Sequence, residues 1–428
     1  MKHLPNLLLA VTGLLLFSTS CVKDQCKRTI THTKYEPVYK TLHEIRVDPT
    51  VEGPRDLKDP GKIYLYGTTL LINERSEGVH VVDNSNPAAP IRTAFIKIPG
   101  NVDIAMRGNT LYADSYIDLL AIDIADLQNI QLTKRVEDAF PAYGNDPQRG
   151  LLVDYKEVEV TETIDCNDMG AMSMDPRMNG GGMQTTGAPN ANMGGGATGA
   201  APGAGRQAVG VGGSMARFAI NGQVLYVVDE RNMHVYDIAN PAMPSYVSQV
   251  NIGVGIETIF PYRDRLFIGS TTGMFIYDNS NPHNPTYISE FQHATACDPV
   301  FVEGNFAYVT LRGGTPCGSF NNQLDVIDIS NIQNPTLVSS TQTTHPHGLS
   351  VDANNLYLCD GADGLKVFDI QNKQNLTQLF HEPSAPAYDA ITLPNANVVM
   401  VVGKDGFYQY NTSNPSSLQL LSHMEVKE

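Results

Sequence analysis

One phrase recurs along this chain. It reads Gly78-Val79-His80-Val81-Val82-Asp83-Asn84-Ser85-Asn86-Pro87, then Met233-His234-Val235-Tyr236-Asp237-Ile238-Ala239-Asn240-Pro241, then Met274-Phe275-Ile276-Tyr277-Asp278-Asn279-Ser280-Asn281-Pro282. Weaker copies centre on Asp123, Asp328, Asp369 and, with asparagine in the acid's place, Asn411. The steps between successive copies are 40, 114, 41, 50, 41 and 42 residues, so a period near 41 survives two insertions. A stride of that length marks one supersecondary unit per copy, which cannot bury both of its faces alone and must stack on its neighbours. Stacking makes one domain of a chain whose 428 residues would otherwise suggest two or three.

Within each copy the apolar runs are short, rich in Val, Ile, Tyr and Phe, and bounded by Gly, Asn or Pro, which is the composition of strands. In the copy from Cys297 onward, Pro299 to Val302, Phe306 to Leu311, Leu324 to Ile329 and Thr336 to Thr341 read as four strands, with a tight turn at Glu303-Gly304-Asn305. Four antiparallel strands in about 41 residues, repeated, form the blade of a propeller. The expected fold is therefore all-β, a seven-bladed β-propeller of four-stranded antiparallel blades. The recurring acid follows the third strand, where its carboxylate accepts backbone N–H groups and the proline then fixes the exit turn. A residue that returns in every copy does the same local job each time, so it is read as structural and not catalytic.

The phrase resembles the LVIVD repeat, found in bacterial surface and secreted proteins as seven-bladed propellers. The resemblance runs from Pro54 to the C-terminus. It implies fold and export and carries over no chemistry. Trp is absent, so the Trp-Asp signature of the commonest eukaryotic propeller repeat is missing. Counted from Lys62, each blade is complete in sequence order through Leu418 to Met424, leaving no borrowed strand. Ring closure then rests on packing between the first and last blades, or on an added edge strand from Val38 to Val47, which is the favoured expectation.

The first residues, Met1-Lys2-His3, precede an apolar run from Leu7 to Phe17 and the small residues Ser18-Thr19-Ser20 before Cys21, the layout of a secretory signal. The arrangement is similar to a bacterial lipobox, with Ser18 where Leu is usual, and makes Cys21 the expected lipidated N-terminus. The expected organisation is a signal peptide at 1–20, a lipidated tether at 21–53 and a propeller at 54–428, interrupted at about 167–214. Lipid anchorage places the protein in the cell envelope, on the outer membrane, exposed to periplasm or cell surface.

The 167–214 stretch is dominated by Gly, Met, Ala and Asn and cannot bury enough apolar surface to offset its ordering entropy, so a flexible loop is expected. Its methionines, Met169, Met172, Met174, Met178, Met183 and Met193, lack the tight spacing of a soft-metal site. Just before it, Gly150 to Thr163 alternates apolar and charged residues and reads as a strand. Cys297 and Cys317 fall on one rim of an up-and-down blade, predicting a disulfide worth about 3 kcal/mol. Cys26 and Cys166 form a second candidate pair, and Cys359, within Leu356-Tyr357-Leu358-Cys359, reads as a buried small hydrophobe.

Aligning the blades on the strand that lines the central axis brings Lys62, Asp103, Arg217, Glu257, Asp298, His347 and Asp389 to one mouth of the channel. Seven ionisable groups there would attract a polar ligand or cation. A metal-assisted hydrolase or lyase would use Glu257, Asp298, His347 and Asp389 as ligands, but Lys62 and Arg217 in the same ring oppose a cation. His345 and His347 flank Pro346 and are expected to point apart. A formal net charge of -16, with 45 acids against 29 Lys and Arg, argues against sequence-independent nucleic-acid binding. The leading expectation is a monomeric, non-enzymatic module without a cofactor or metal, anchored to a membrane and holding a protein, peptide or glycan. The second is an enzyme working at the channel mouth.

Overall fold

The computed structural model describes residues 27–165, 211–293, 299–313, 322–393 and 396–427. Two compact units divide the chain, one of 1–38 with 155–182 and one of 39–154 with 183–428. The strands Lys27–Lys40 and Gly150–Asp165, which lie in the first unit except for residues 39–40 and 150–154, pair, and threonine hydroxyls meet across them at Thr29–Thr163 and Thr31–Thr161. The expected strand at 150–163 is thus present.

Among the described residues of the second unit, seven sheets are built on a four-stranded antiparallel meander, at 60–97, 104–136, 218–251, 256–292, 300–342, 349–382 and 389–425. The fifth sheet shows how closely composition sets the elements: its strands are Val300–Glu303, Phe306–Leu311, Gln323–Asp328 and Thr336–Gln342, with Gly304 at φ 63° in the first turn. The first strand of each meander contacts the first strand of the next, and that of the seventh contacts that of the first, so these strands close a ring.

The recurring acid is a turn cap. Oδ1 of Asp83, Asp123, Asp237, Asp278, Asp328 and Asp369, and of Asn411, accepts the backbone N–H two residues on, at 2.7 to 2.9 Å. Asparagine serves as well as aspartate because the bond needs only the side-chain oxygen. In every meander the third and fourth strands slip register by one residue just before this turn. Such a bulge strengthens the local twist.

The first and seventh sheets share a core of Leu57, Ile63, Leu70, Ile72 and Val82 with Ile391, Val398, Met400, Val402 and Phe407. Above it, Asn84 and Gln409 exchange two amide hydrogen bonds at 3.0 and 2.8 Å, and Leu57 bridges to Val426. Closure therefore rests on packing. The edge strand expected from Val38 to Val47 does not form: Leu42–Ile45 is a single helical turn, because Thr41 and Glu44 form a capping box that holds its free N–H groups. The strand added to the first sheet's outer edge is Thr50–Glu52, paired with Phe95 to Lys97.

The flexible loop expected at about 167–214 reaches the described residues only in its last four positions, and these are ordered. Residues 166–210 lie outside the described residues, but Val211–Gly212 pairs with Leu65 and Tyr64 of the first sheet's innermost strand, and Ser214 is buried. Backbone pairing and a bonded hydroxyl order a stretch whose composition alone predicts none.

Candidate functional site

The ring residues among the described residues, Lys62, Asp103, Arg217, Glu257, His347 and Asp389, lie where the first strands begin. Lys62 Nζ sits 2.5 Å from Asp103 Oδ2, and the same oxygen accepts the Arg217 backbone N–H. Asp103 is 2% exposed, so both of its oxygens are committed to the protein, Oδ1 to the Ile104 N–H at 2.8 Å. Asp389, also buried, accepts the Ser214 hydroxyl at 3.3 Å. Burial pushes its carboxyl up to about 7, against the pull of the Ala390 N–H, Lys62, Ser214 and the Met215 N–H. Glu257 is half-buried in the strand Ile256–Tyr262. Asp298 lies outside the described residues, as do Cys21, Cys26, Cys166, Cys297, Cys317 and the six methionines of the insertion. Cys359 is a buried free thiol, as its neighbours in sequence suggest.

His347 departs from the ring pattern. Its Nδ1 lies 2.6 Å from Arg312 Nη1, and its Nε2 lies 3.2 Å from His345 Nδ1. The two imidazoles, expected to diverge, therefore converge: their centroids are 5.1 Å apart, with the His345 N–H bound to Asp360 Oδ1 at 2.6 Å and the His347 N–H to the Cys359 carbonyl at 2.7 Å. Burial, then Arg312, His345 and Arg75, drives the His347 imidazole down to about 2, so it is neutral.

Sequence alignment of the ring misses a second layer. Acids at the end of second strands meet bases three residues before the recurring turn cap: Glu74 with His80 at 2.7 Å, Asp229 with His234 at 2.7 Å, and Asp360 with Lys366 at 2.5 Å. Two of these acids also accept N–H groups from the chain approaching the first strand, Glu74 from Lys58 and Asp59, and Asp360 from Thr344 and His345. Asp114 does likewise for Val102 and Asp103 without a base. Its carboxyl is pushed up to about 6, mainly by burial, with the Asp103 charge adding and the Val102 and Asp103 N–H groups opposing. The repeated bases were visible in the aligned phrases as His80, His234 and Lys366.

One of these pairs opens onto a cleft of about 460 Å³ at the same rim. Asp229, Asn232, His234 and Gln249 line one side, and Asp138 to Ala142, with Phe140, the other. Burial raises Asp229, but the His234 bond and the Arg231 and Asn232 N–H groups outweigh it and hold the carboxylate below its ordinary value. Among the described residues no three His, Cys, Asp or Glu are grouped to hold a metal, and no helix is long and apolar enough to cross a membrane.

Four-stranded sheets ringed by their first strands define a β-propeller body, and solved propellers share it. The LVIVD repeat family model matches residues 212–252 and 295–343, which span the third and fifth sheets. The chain is similar in structure to a protein from Lactobacillus plantarum, at 13% identity and TM-score 0.52, covering 86% of this chain and 97% of that one. It is similar as well to the periplasmic gluconolactonase of Pseudomonas aeruginosa, at 11% identity and TM-score 0.50, covering 85% and 96%. A 6-phosphogluconolactonase-like protein of Bacteroides fragilis gives 10% identity, TM-score 0.50 and coverage of 87% and 97%. At these identities the likeness concerns the fold alone. No curated protein matches the chain.

Proposed function

We propose that this chain is an exported binding module, lipidated on Cys21, whose seven meanders are the blades of one seven-bladed β-propeller and whose rim holds a protein, peptide or glycan. The observation that carries this reading is a contrast at one rim. At the ring, several polar groups are tied to the protein itself: Lys62 and the Arg217 N–H are bound to Asp103, Asp389 accepts the Ser214 hydroxyl, and His347 is held by Arg312. Beside it, the cleft presents the exposed Gln249 and the half-buried ring of Phe140 to an incoming chain. A mixed apolar and amide lining suits orientation of a polar ligand against an aromatic face. The Cys297–Cys317 disulfide belongs to this proposal as a brace on the same rim.

The second reading is a metal-assisted hydrolase or lyase at Glu257, Asp298, His347 and Asp389. It is the less supported, because a guanidinium lies 2.6 Å from one His347 nitrogen and an imidazole 3.2 Å from the other, leaving neither open to a cation. The fold shared with a gluconolactonase speaks to scaffold and not to chemistry.

The test is binding of the purified soluble body to peptide and glycan libraries, repeated with Phe140→Ala and Gln249→Ala, alongside metal analysis of wild type and His347→Ala. A ligand lost in the cleft variants and kept in His347→Ala is the expected result. Stoichiometric metal that disappears with His347→Ala, or binding indifferent to both cleft variants, would overturn the reading.

A further inference from the structure

Residues 211–217 make contacts that no segment running along the outside of the ring can make. Val211 and Gly212 pair with the innermost strand of the first sheet at Leu65 and Tyr64. The Ser214 hydroxyl donates to Asp389 of the seventh sheet at 3.3 Å and accepts the Leu349 N–H of the sixth at 2.8 Å. The Ala216 carbonyl accepts the Ile259 N–H of the fourth sheet at 2.9 Å, and the Arg217 N–H is bound by Asp103 of the second. Seven consecutive residues thus reach the first, seventh, sixth, fourth and second sheets, of which the fourth is a ring neighbour of none of the others, so the segment crosses the axis.

The fit is close. A methyl group on Gly213 would fall 1.8 Å from Asp389 Oδ2, well inside van der Waals contact. Only a residue without a side chain lets the backbone lie over that carboxyl, and the partial charge of the Met215 N–H adds to the attraction. Among the described residues, the first sheet is the one whose innermost strand carries a further strand on its axial edge.

We propose that Val211–Arg217 is a built-in strap that shuts this mouth of the ring, so that the ring charges hold the chain's own backbone and the axis opens only when the strap lifts. Ring and strap then form a two-state element: docked, with five sheets tied across the axis, or released, with Asp103, Asp389 and the Leu349 N–H uncovered. The inference does not depend on the cleft or on what it binds.

Hydrogen exchange of the full chain, read by mass spectrometry over 211–217, 256–262 and 346–352, tests it with Gly213→Ala and Ser214→Ala. Gly213→Ala should accelerate exchange of the Leu349, Ile259 and Arg217 amides by about ten-fold while global melting stays cooperative. Ser214→Ala, which removes the Leu349 acceptor without adding bulk, should accelerate Leu349 by about five-fold. Wild-type exchange at these amides in both variants overturns the strap. Should Gly213→Ala fail to fold, Ser214→Ala decides alone, and an unchanged Leu349 rate overturns it.

Discussion

The Nε2 of His80 lies 2.7 Å from Oε2 of Glu74, and both side chains are sealed from solvent at 0% and 1% exposure. Glu74 also gathers the N–H groups of Lys58 and Asp59, so one carboxylate fastens the third strand of its sheet to the chain approaching the first. Removing one partner of a buried pair leaves the other uncompensated, at a cost of about 3 kcal/mol. Glu74→Ala should lower unfolding stability by about that amount, read by urea denaturation. The Glu74 carboxyl is held below its ordinary value because the His80 and N–H bonds outweigh burial, so its contribution is present above the ordinary carboxylate pKa and is lost as pH falls through the depressed one. A denaturation midpoint unmoved by Glu74→Ala would remove the latch.

Asp389 behaves in the opposite sense. Burial lifts its carboxyl to about 7, so the fold favours the neutral acid, and the stability it lends is complete below the ordinary carboxylate pKa and lost as pH rises through about 7. The groups facing it are Lys62 of the first sheet, Ser214 and the Met215 N–H of the strap, the adjacent Ala390 N–H, and the Cys359 thiol of the sixth sheet. Thermal melts between about pH 5 and about pH 8 should fall with pH in wild type and flatten in Asp389→Asn. Parallel profiles for the two proteins would refute the assignment.

The turn cap separates charge from geometry. Asp278 Oδ1 accepts the Ser280 N–H at 2.8 Å, and Asn411 makes the equivalent bond to Ser413 at 2.8 Å with no charge. Asp278→Ala should therefore cost about 1 kcal/mol, whereas Asp278→Asn should be close to neutral in the same denaturation assay. Equal losses for both substitutions would show that the charge, not the oxygen, does the work.

Lipidation of Cys21 is tested in cells. Metabolic labelling with a fatty acid should mark the wild-type protein and leave Cys21→Ala unlabelled and in the soluble fraction. Membrane association that survives Cys21→Ala would point to another mode of attachment.

The sheets and their turns were legible in the sequence because their determinants are local: β-branched runs, Asx caps and a stride near 41 residues. Lys62 and Asp103 were brought to one mouth by the same logic, since they hold one repeat position in neighbouring units. The strap was not legible. Ser214 meets Leu349 and Asp389 across 135 and 175 residues, and glycine and serine there carry no periodic signal. The convergence of His345 and His347 escaped for a related reason: a proline constrains its own backbone, while the direction of the flanking rings is set by the Cys359 carbonyl and by Arg312. The helical turn at Leu42–Ile45 had a readable cue in Thr41 and Glu44, whose spacing is that of a capping box.

Closure by packing carries a further consequence. The Lys427 N–H reaches the Leu57 carbonyl at 2.8 Å, so the two ends of the ring lie side by side. No sheet is then privileged as the starting point. A circular permutant of 57–427 that joins these ends through a short linker and reopens the chain at the exposed Asn331 turn should regain a cooperative melt, because the contacts between innermost strands that close the ring are preserved.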